Sequence, residues 1–171
     1  MVNVISGTDS SGNQHPLWNV DARIGLGSTG TDVMLVQYLL GQALPYVDAG
    51  RPQVDGVWGP ITAAAMSALE KTYPNDLLAD GAVDPLPSAM VFDHGSQWYS
   101  YKLAALQGIY CQTRNPAVDP TDLYQSIDAL MNTPNDVGLP TALSSALTNA
   151  KQTASSTQAQ PSDPSQGSAT P

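Results

Sequence analysis

Basic residues are scarce in this chain. Its 171 residues hold six Lys and Arg against fifteen Asp and Glu, a formal net charge of -9. The six cations, Arg23, Arg51, Lys71, Lys102, Arg114 and Lys151, are scattered with no basic run. Displacing counterions from a nucleic-acid backbone needs clustered cations, and so does adhesion to an anionic membrane. Neither partner is expected. One cysteine, Cys111, rules out an intramolecular disulfide and a multi-cysteine metal site. Long apolar runs are missing too, and nothing approaches the roughly 18 residues of a membrane span. Met1 to Asp9 has neither a basic start nor a long apolar stretch, so it does not read as a secretory signal. The expectation is a soluble protein made in a cytoplasm.

The same scarcity thins out the chemistry. Cys111 and His94 would be a nucleophile and base, but Cys111-Gln112-Thr113-Arg114 keeps only the Cys-x-x-Arg part of the transpeptidase context. Cys111 reads instead as a structural thiol beside an apolar helix. A zinc site would need His15 and His94, the two histidines, to converge with a carboxylate. Glu70 is the one glutamate, and the aspartates stand at caps and turns, which leaves no paired carboxylates for glycoside hydrolysis. No Gly-rich loop leads into a Lys that would cradle phosphate. No catalytic residue, metal or cofactor is expected.

What the chain does have is helical periodicity. From Thr31 to Ala43, Val33, Val36, Gln37 and Leu40 fall on one face, with Thr31 as a cap and Asp32 suited to the positive end of the helix dipole. A second helix begins at Pro60, acceptable at a first helical position. It has Ile61, Ala65, Met66 and Leu69 on its apolar face and Pro74 as its stop. Further helices are expected over Gln97 to Tyr110 (Trp98, Tyr101, Ala105, Ile109), from Pro120 behind Asp119 (Leu123, Ile127, Leu130, Met131), and over Pro140 to Ala150 (Leu143, Ala146, Leu147). A short helix fits Pro87 to Phe92. No segment alternates well enough to predict a strand, so the fold class expected is all-α. The Ser-, Gly-, Asn- and Asp-rich stretch 1 to 22 reads as an arm touching a core through Trp18 and Val20. From Lys151 the chain lacks large apolar side chains and reads as a flexible tail.

Ahead of each of the first two helices lies a turn with a distinct signature. Ile24-Gly25-Leu26-Gly27-Ser28-Thr29-Gly30 precedes Val36-Gln37, and Asp55-Gly56-Val57-Trp58-Gly59-Pro60-Ile61-Thr62 precedes Leu69-Glu70. A third piece, Asp80-Gly81-Ala82-Val83-Asp84-Pro85, follows. Order and spacing over Ile24 to Leu86 resemble the peptidoglycan-binding domain family, small helical modules appended to many cell-wall hydrolases. In that pattern Gly27 and Gly30 form the first turn and Gln37 is the helix glutamine. Asp55, Gly56, Trp58, Gly59, Pro60 and Thr62 form the second turn, and Asp80 and Gly81 open the third. The departures are Glu70 at a glutamine position and Asp84 at a glycine position. Physically, Asp-Gly makes a tight turn, Trp58 lays apolar surface on both helices, and Thr62 is placed to satisfy a free backbone group. These motif residues read as folding elements.

The resemblance implies a small orthogonal three-helix module that recognises glycan strands or stem peptides through a shallow surface, without chemistry. Exposed candidates beside the turns are Arg51, Gln53 and Thr62, with Arg51 able to pair with a stem-peptide carboxylate. Downstream, Leu103, Leu106, Gln107 and Tyr110 repeat the spacing of Val33, Val36, Gln37 and Leu40, and Gly138 to Thr141 echoes Gly59 to Thr62. The organisation expected is an arm (1–22), a peptidoglycan-binding-like module (23–95), an added helical region or degenerate second module (96–150), and a Ser/Pro/Gln-rich tail (151–171). Three functions stay open. The first is a non-catalytic structural protein of a phage particle or related injection machine, located in the virion, with other virion or assembly proteins as partners. The second is a cell-wall-associated subunit that binds peptidoglycan, and the third is a cell-wall hydrolase.

Overall fold

In the computed structural model the described residues are 1–9, 12, 14–43, 50–74, 77–88, 91–92, 101–114 and 139–158. Among them the elements are, in chain order, β1 (Asn3–Asp9), β2 (Gln14–Asn19), α1 (Thr31–Ala43), α2 (Pro60–Thr72), β3 (Val91–Phe92), α3 (Lys102–Arg114) and α4 (Thr141–Gln158). The fold is therefore mixed α/β, and the all-α expectation is wrong.

Two of the three strands come from the stretch read as an arm. β1 and β2 pair antiparallel, Val4 opposite Trp18 and Ile5 opposite Leu17. β3 adds in parallel on the other side of β1, giving the order β2-β1-β3. The alternation was hidden because the outer part of the hairpin is polar. Gln14 donates to Thr8 Oγ1 at 2.7 Å and bonds Ser6 across the strands. Pro16 is accommodated in β2 because that strand is an edge, where a missing N–H is tolerated. Gly12, between the two strands, stands at φ 85. The short helix expected over Pro87 to Phe92 gives way to β3 at its end, where a β-branched and an aromatic residue favour extended backbone.

α1 begins and ends where its spacing predicts. Thr31 is its first residue, not a cap before it, and the Gly30 carbonyl takes the Met34 N–H at 3.1 Å. Leu35, Tyr38 and Leu39 are buried as well as Val33, Val36 and Leu40, so the helix is covered almost all round. α2, α3 and α4 all pack on it. Tyr38 meets Tyr110 of α3 with ring centroids 5.8 Å apart, a favourable tilted geometry. One apolar cluster runs from Val2, Leu17, Trp18 and Val20 through Trp58, Met66 and Val83 to Leu106, Leu143 and Ala150. α2 starts at Pro60 as expected, but Ile61 is 59% exposed and stands outside its buried face. α4 runs eight residues past Ala150, into the stretch expected to be flexible. The helix expected from Pro120, the stretch Gln97 to Ser100, His94, and the rest of the tail lie outside the described residues.

A buried amide ties the hairpin to α3. Gln107 is fully buried; its Oε1 accepts the Trp18 N–H and its Nε2 donates to the Trp18 carbonyl, each at 2.9 Å. The side chain thus pairs with β2 as a neighbouring strand would. A buried donor or acceptor left unpaired costs about 1–3 kcal/mol. Gln107→Ala is expected to lower unfolding stability in urea by about 3 kcal/mol, since it also opens a small void; a loss below about 0.5 kcal/mol would show that the hairpin docks without it.

Candidate functional site

The signature residues converge on two turns of one design. In the first, Asp55 Oδ1 accepts the Val57 N–H two residues on, at 2.9 Å, and Gly56 stands at φ 75. Gln37, 1% exposed on α1, closes it: its Oε1 accepts the Gly56 N–H at 2.9 Å. Its Nε2 donates to Asp55 Oδ1 (2.9 Å), the Val57 carbonyl (3.0 Å) and Thr62 Oγ1 (3.1 Å). The bonds from the Val57 N–H and from Gln37 hold the Asp55 carboxyl below its ordinary range. Ser28 and Trp58 exchange backbone contacts through Trp58 N to Ser28 O at 2.9 Å, and Gly27 N reaches Trp58 O at 3.0 Å. The indole of Trp58 goes into the core.

The second turn repeats the first. Asp80 Oδ1 accepts the Ala82 N–H at 3.1 Å, Gly81 stands at φ 66, and Glu70 Oε1 accepts the Gly81 N–H at 2.8 Å. Ile24 and Val83 bond each other at 2.9 and 2.8 Å, as Thr29 and Val57 pair on the first turn. Glu70 occupies the place of Gln37, but an ionised carboxylate has no donor. The missing donor comes from outside the module. Lys102 Nζ, on α3, bonds Glu70 Oε1 and Asp80 Oδ1 and reaches the Ala82 carbonyl at 2.7 Å. Glu70 and Lys102 side chains are 5% and 6% exposed. Together they reproduce what one amide does at Gln37. Asp84 is held by Arg23 at 2.9 Å, and Arg23 also reaches Asp80 Oδ2 at 2.8 Å. Neither Lys102 nor Arg23 was singled out from sequence; an unpaired buried-face acid in α2 was the signal that a cation must answer it.

The ligand candidates separate. Thr62 is 3% exposed and spends its hydroxyl on Gln37, not on a helix end, so it faces no ligand. Arg51 and Gln53 are exposed, and the Arg51 side chain lies along α1 at Gly41. Exposed apolar side chains do border the turns: Leu26 (72%), Val57 and Ile61. Elsewhere, a groove of about 1010 Å³ runs between β1 and α4, lined by Ile5, Ser6, Gln14, Ala146 and Asn149 among others, and shares no residue with the turns. Among the described residues no three His, Cys, Asp or Glu side chains gather as a metal site requires, and no helix is long and apolar enough to cross a membrane. Cys111 lies in α3, and His94 lies outside the described residues.

No family model, no curated protein and no solved structure matches this chain. The geometry of its own residues therefore carries the functional reading.

Gly56 tests the first turn. A Cβ there would sit 3.1 Å from Met34 Cε and 3.2 Å from the Gly30 carbonyl, on a left-handed backbone. Gly56→Ala is expected to cost about 2 kcal/mol in denaturant titration, against a few tenths at an unstrained surface glycine. Asp80 tests the second. Burial raises its pKa, but bonds from Lys102, the Ala82 N–H and Arg23 outweigh this and bring it from 3.8 down to about 2. A depressed folded-state pKa contributes stability above the unfolded value, lost as pH falls through the folded one. Stability is expected to drop by about 2 kcal/mol between pH 4 and pH 2, and Asp80→Asn to flatten that part of the profile, read by urea midpoints at each pH. An unchanged slope in the variant would refute this.

Proposed function

We propose that this chain is a non-catalytic structural subunit of a phage particle or related injection machine, built on a peptidoglycan-binding-like fold. The observation that supports this most is the fate of the signature's polar groups. Gln37, Asp55, Thr62, Glu70 and Asp80 all spend their side chains on the protein's own backbone, on one another or on α3. A turn so saturated is a scaffold joint. α3, absent from the family pattern, is fused to the module by a buried ion pair and one continuous apolar core. The family resemblance supplies the wall-related setting, and the long Ser/Pro/Gln-rich end of the sequence suits lacing into an assembly.

A peptidoglycan-docking role is the second reading. Exposed Leu26, Val57 and Ile61 beside the turns favour it, with Arg51 and Gln53 exposed on the same module. Such a patch offers apolar contact to a sugar face or stem peptide and a guanidinium to a carboxylate.

Two measurements separate the readings. In density-gradient-purified particles, quantitative mass spectrometry is expected to find the chain at a fixed number of copies per particle; its absence would refute the structural reading. With insoluble peptidoglycan sacculi, folded protein is expected to stay in the supernatant. Saturable co-sedimentation that Arg51→Ala or Val57→Asp abolishes would establish the docking role instead.

A further inference from the structure

The two Asp-Gly turns differ in where their donor comes from, and this difference has a conformational consequence. The first is complete within the module, because one amide on α1 supplies both acceptor and donors. The second is not. Without α3 it holds two carboxylates, Glu70 and Asp80, around the Gly81–Ala82 backbone, and the Ala82 carbonyl lacks a buried donor. Arg23 reaches Asp80 only through Oδ2, on the exposed side, and is shared with Asp84. Removing Lys102 would therefore leave an uncompensated buried acid at Glu70 and a second acid next to it.

We propose that α3 is a clasp: closure of the second turn and docking of α3 are one coupled event, joined at Lys102, while the first turn closes independently. Docked, Lys102 Nζ ties α2 (Glu70) to the turn (Asp80, Ala82), and Gln107, further along the same helix, ties α3 to β2. Undocked, the turn opens and α1 loses the cover that α3 gives it at Tyr38. The module thus has a built-in hinge of charge. Any partner that draws α3 away also loosens the Asp80–Asp84 turn, and leaves the Asp55–Thr62 turn as it was. This holds whichever functional reading is correct.

The test is residue-resolved amide hydrogen exchange on the full chain and on two variants, Lys102→Met and Glu70→Gln/Lys102→Met. In the single variant, protection at Gly81 and Ala82 is expected to fall about tenfold or more, with Gly56 and Val57 unchanged. In the double variant, a glutamine at position 70 can donate to Asp80 Oδ1 and the Ala82 carbonyl as Gln37 does on the first turn. Protection at Gly81 and Ala82 is then expected to return to within about threefold of the parent. Unchanged protection in Lys102→Met, equal loss at both turns, or a folded double variant without recovery would each overturn the proposal. Where Lys102→Met does not fold, the double variant decides: a folded protein with both turns protected supports the clasp, and an unfolded one refutes it.

Discussion

The structure depends on buried side-chain groups that satisfy backbone which no helix or sheet can reach. The described loops around α1, α2 and the sheet bury part of their backbone, at Gly56, Trp58, Ala82, Val83 and Leu86 among others, and every buried N–H or carbonyl there needs a partner. Four side-chain arrangements provide it. Gln37 holds Gly56 and Val57, Glu70 with Lys102 holds Gly81 and Ala82, Gln107 holds Trp18, and Asn19 holds Leu86 through bonds of 2.7 and 3.1 Å. Three are amides, which carry donor and acceptor in one rigid plane and can stand in for a missing strand. The fourth splits the same two roles between an anion and a cation.

That split changes the energetics. An amide clip is neutral and loses about 1–3 kcal/mol per group left unpaired. A buried ion pair gains little over an apolar replacement, but breaking it by removing one partner costs roughly 3–5 kcal/mol. The second turn is thus no more stable than the first, only more dependent on its partner. An all-amide design would let residues 24–86 close both turns by themselves. Glu70 and Lys102 make the second turn's closure conditional on a helix that begins sixteen residues past Leu86.

Local signals made much of this legible. Pro60 fixed the start of α2, the apolar spacing from Val33 fixed α1, and the Asp-Gly pairs announced turns whose glycines do take positive φ. What escaped were relations between distant residues. Val4, Ile5 and Leu17 belong to a sheet whose outer polar pairs broke the alternation. Thr62 looked like an exposed candidate because its partner, Gln37, lies 25 positions away. Lys102 was only one of six scattered cations, since its partners are 20 to 32 positions distant. Patterns of period two or 3.6 describe an element against an average core; they carry no information on which side chain completes which loop.

Departures from a motif are then the most informative letters in the sequence. A glutamine at position 70 would have said only that a second turn of the same kind follows. An acid there cannot donate, lies on a buried face, and so demands a cation from elsewhere in the chain. Asp84 makes the same demand less strictly, because it is half exposed and Arg23 meets it at the surface. Both answers come from outside the signature itself, one just before it and one from α3. They place α3 within the electrostatics of residues 23–86, which a helix resting on a self-sufficient neighbour would not need.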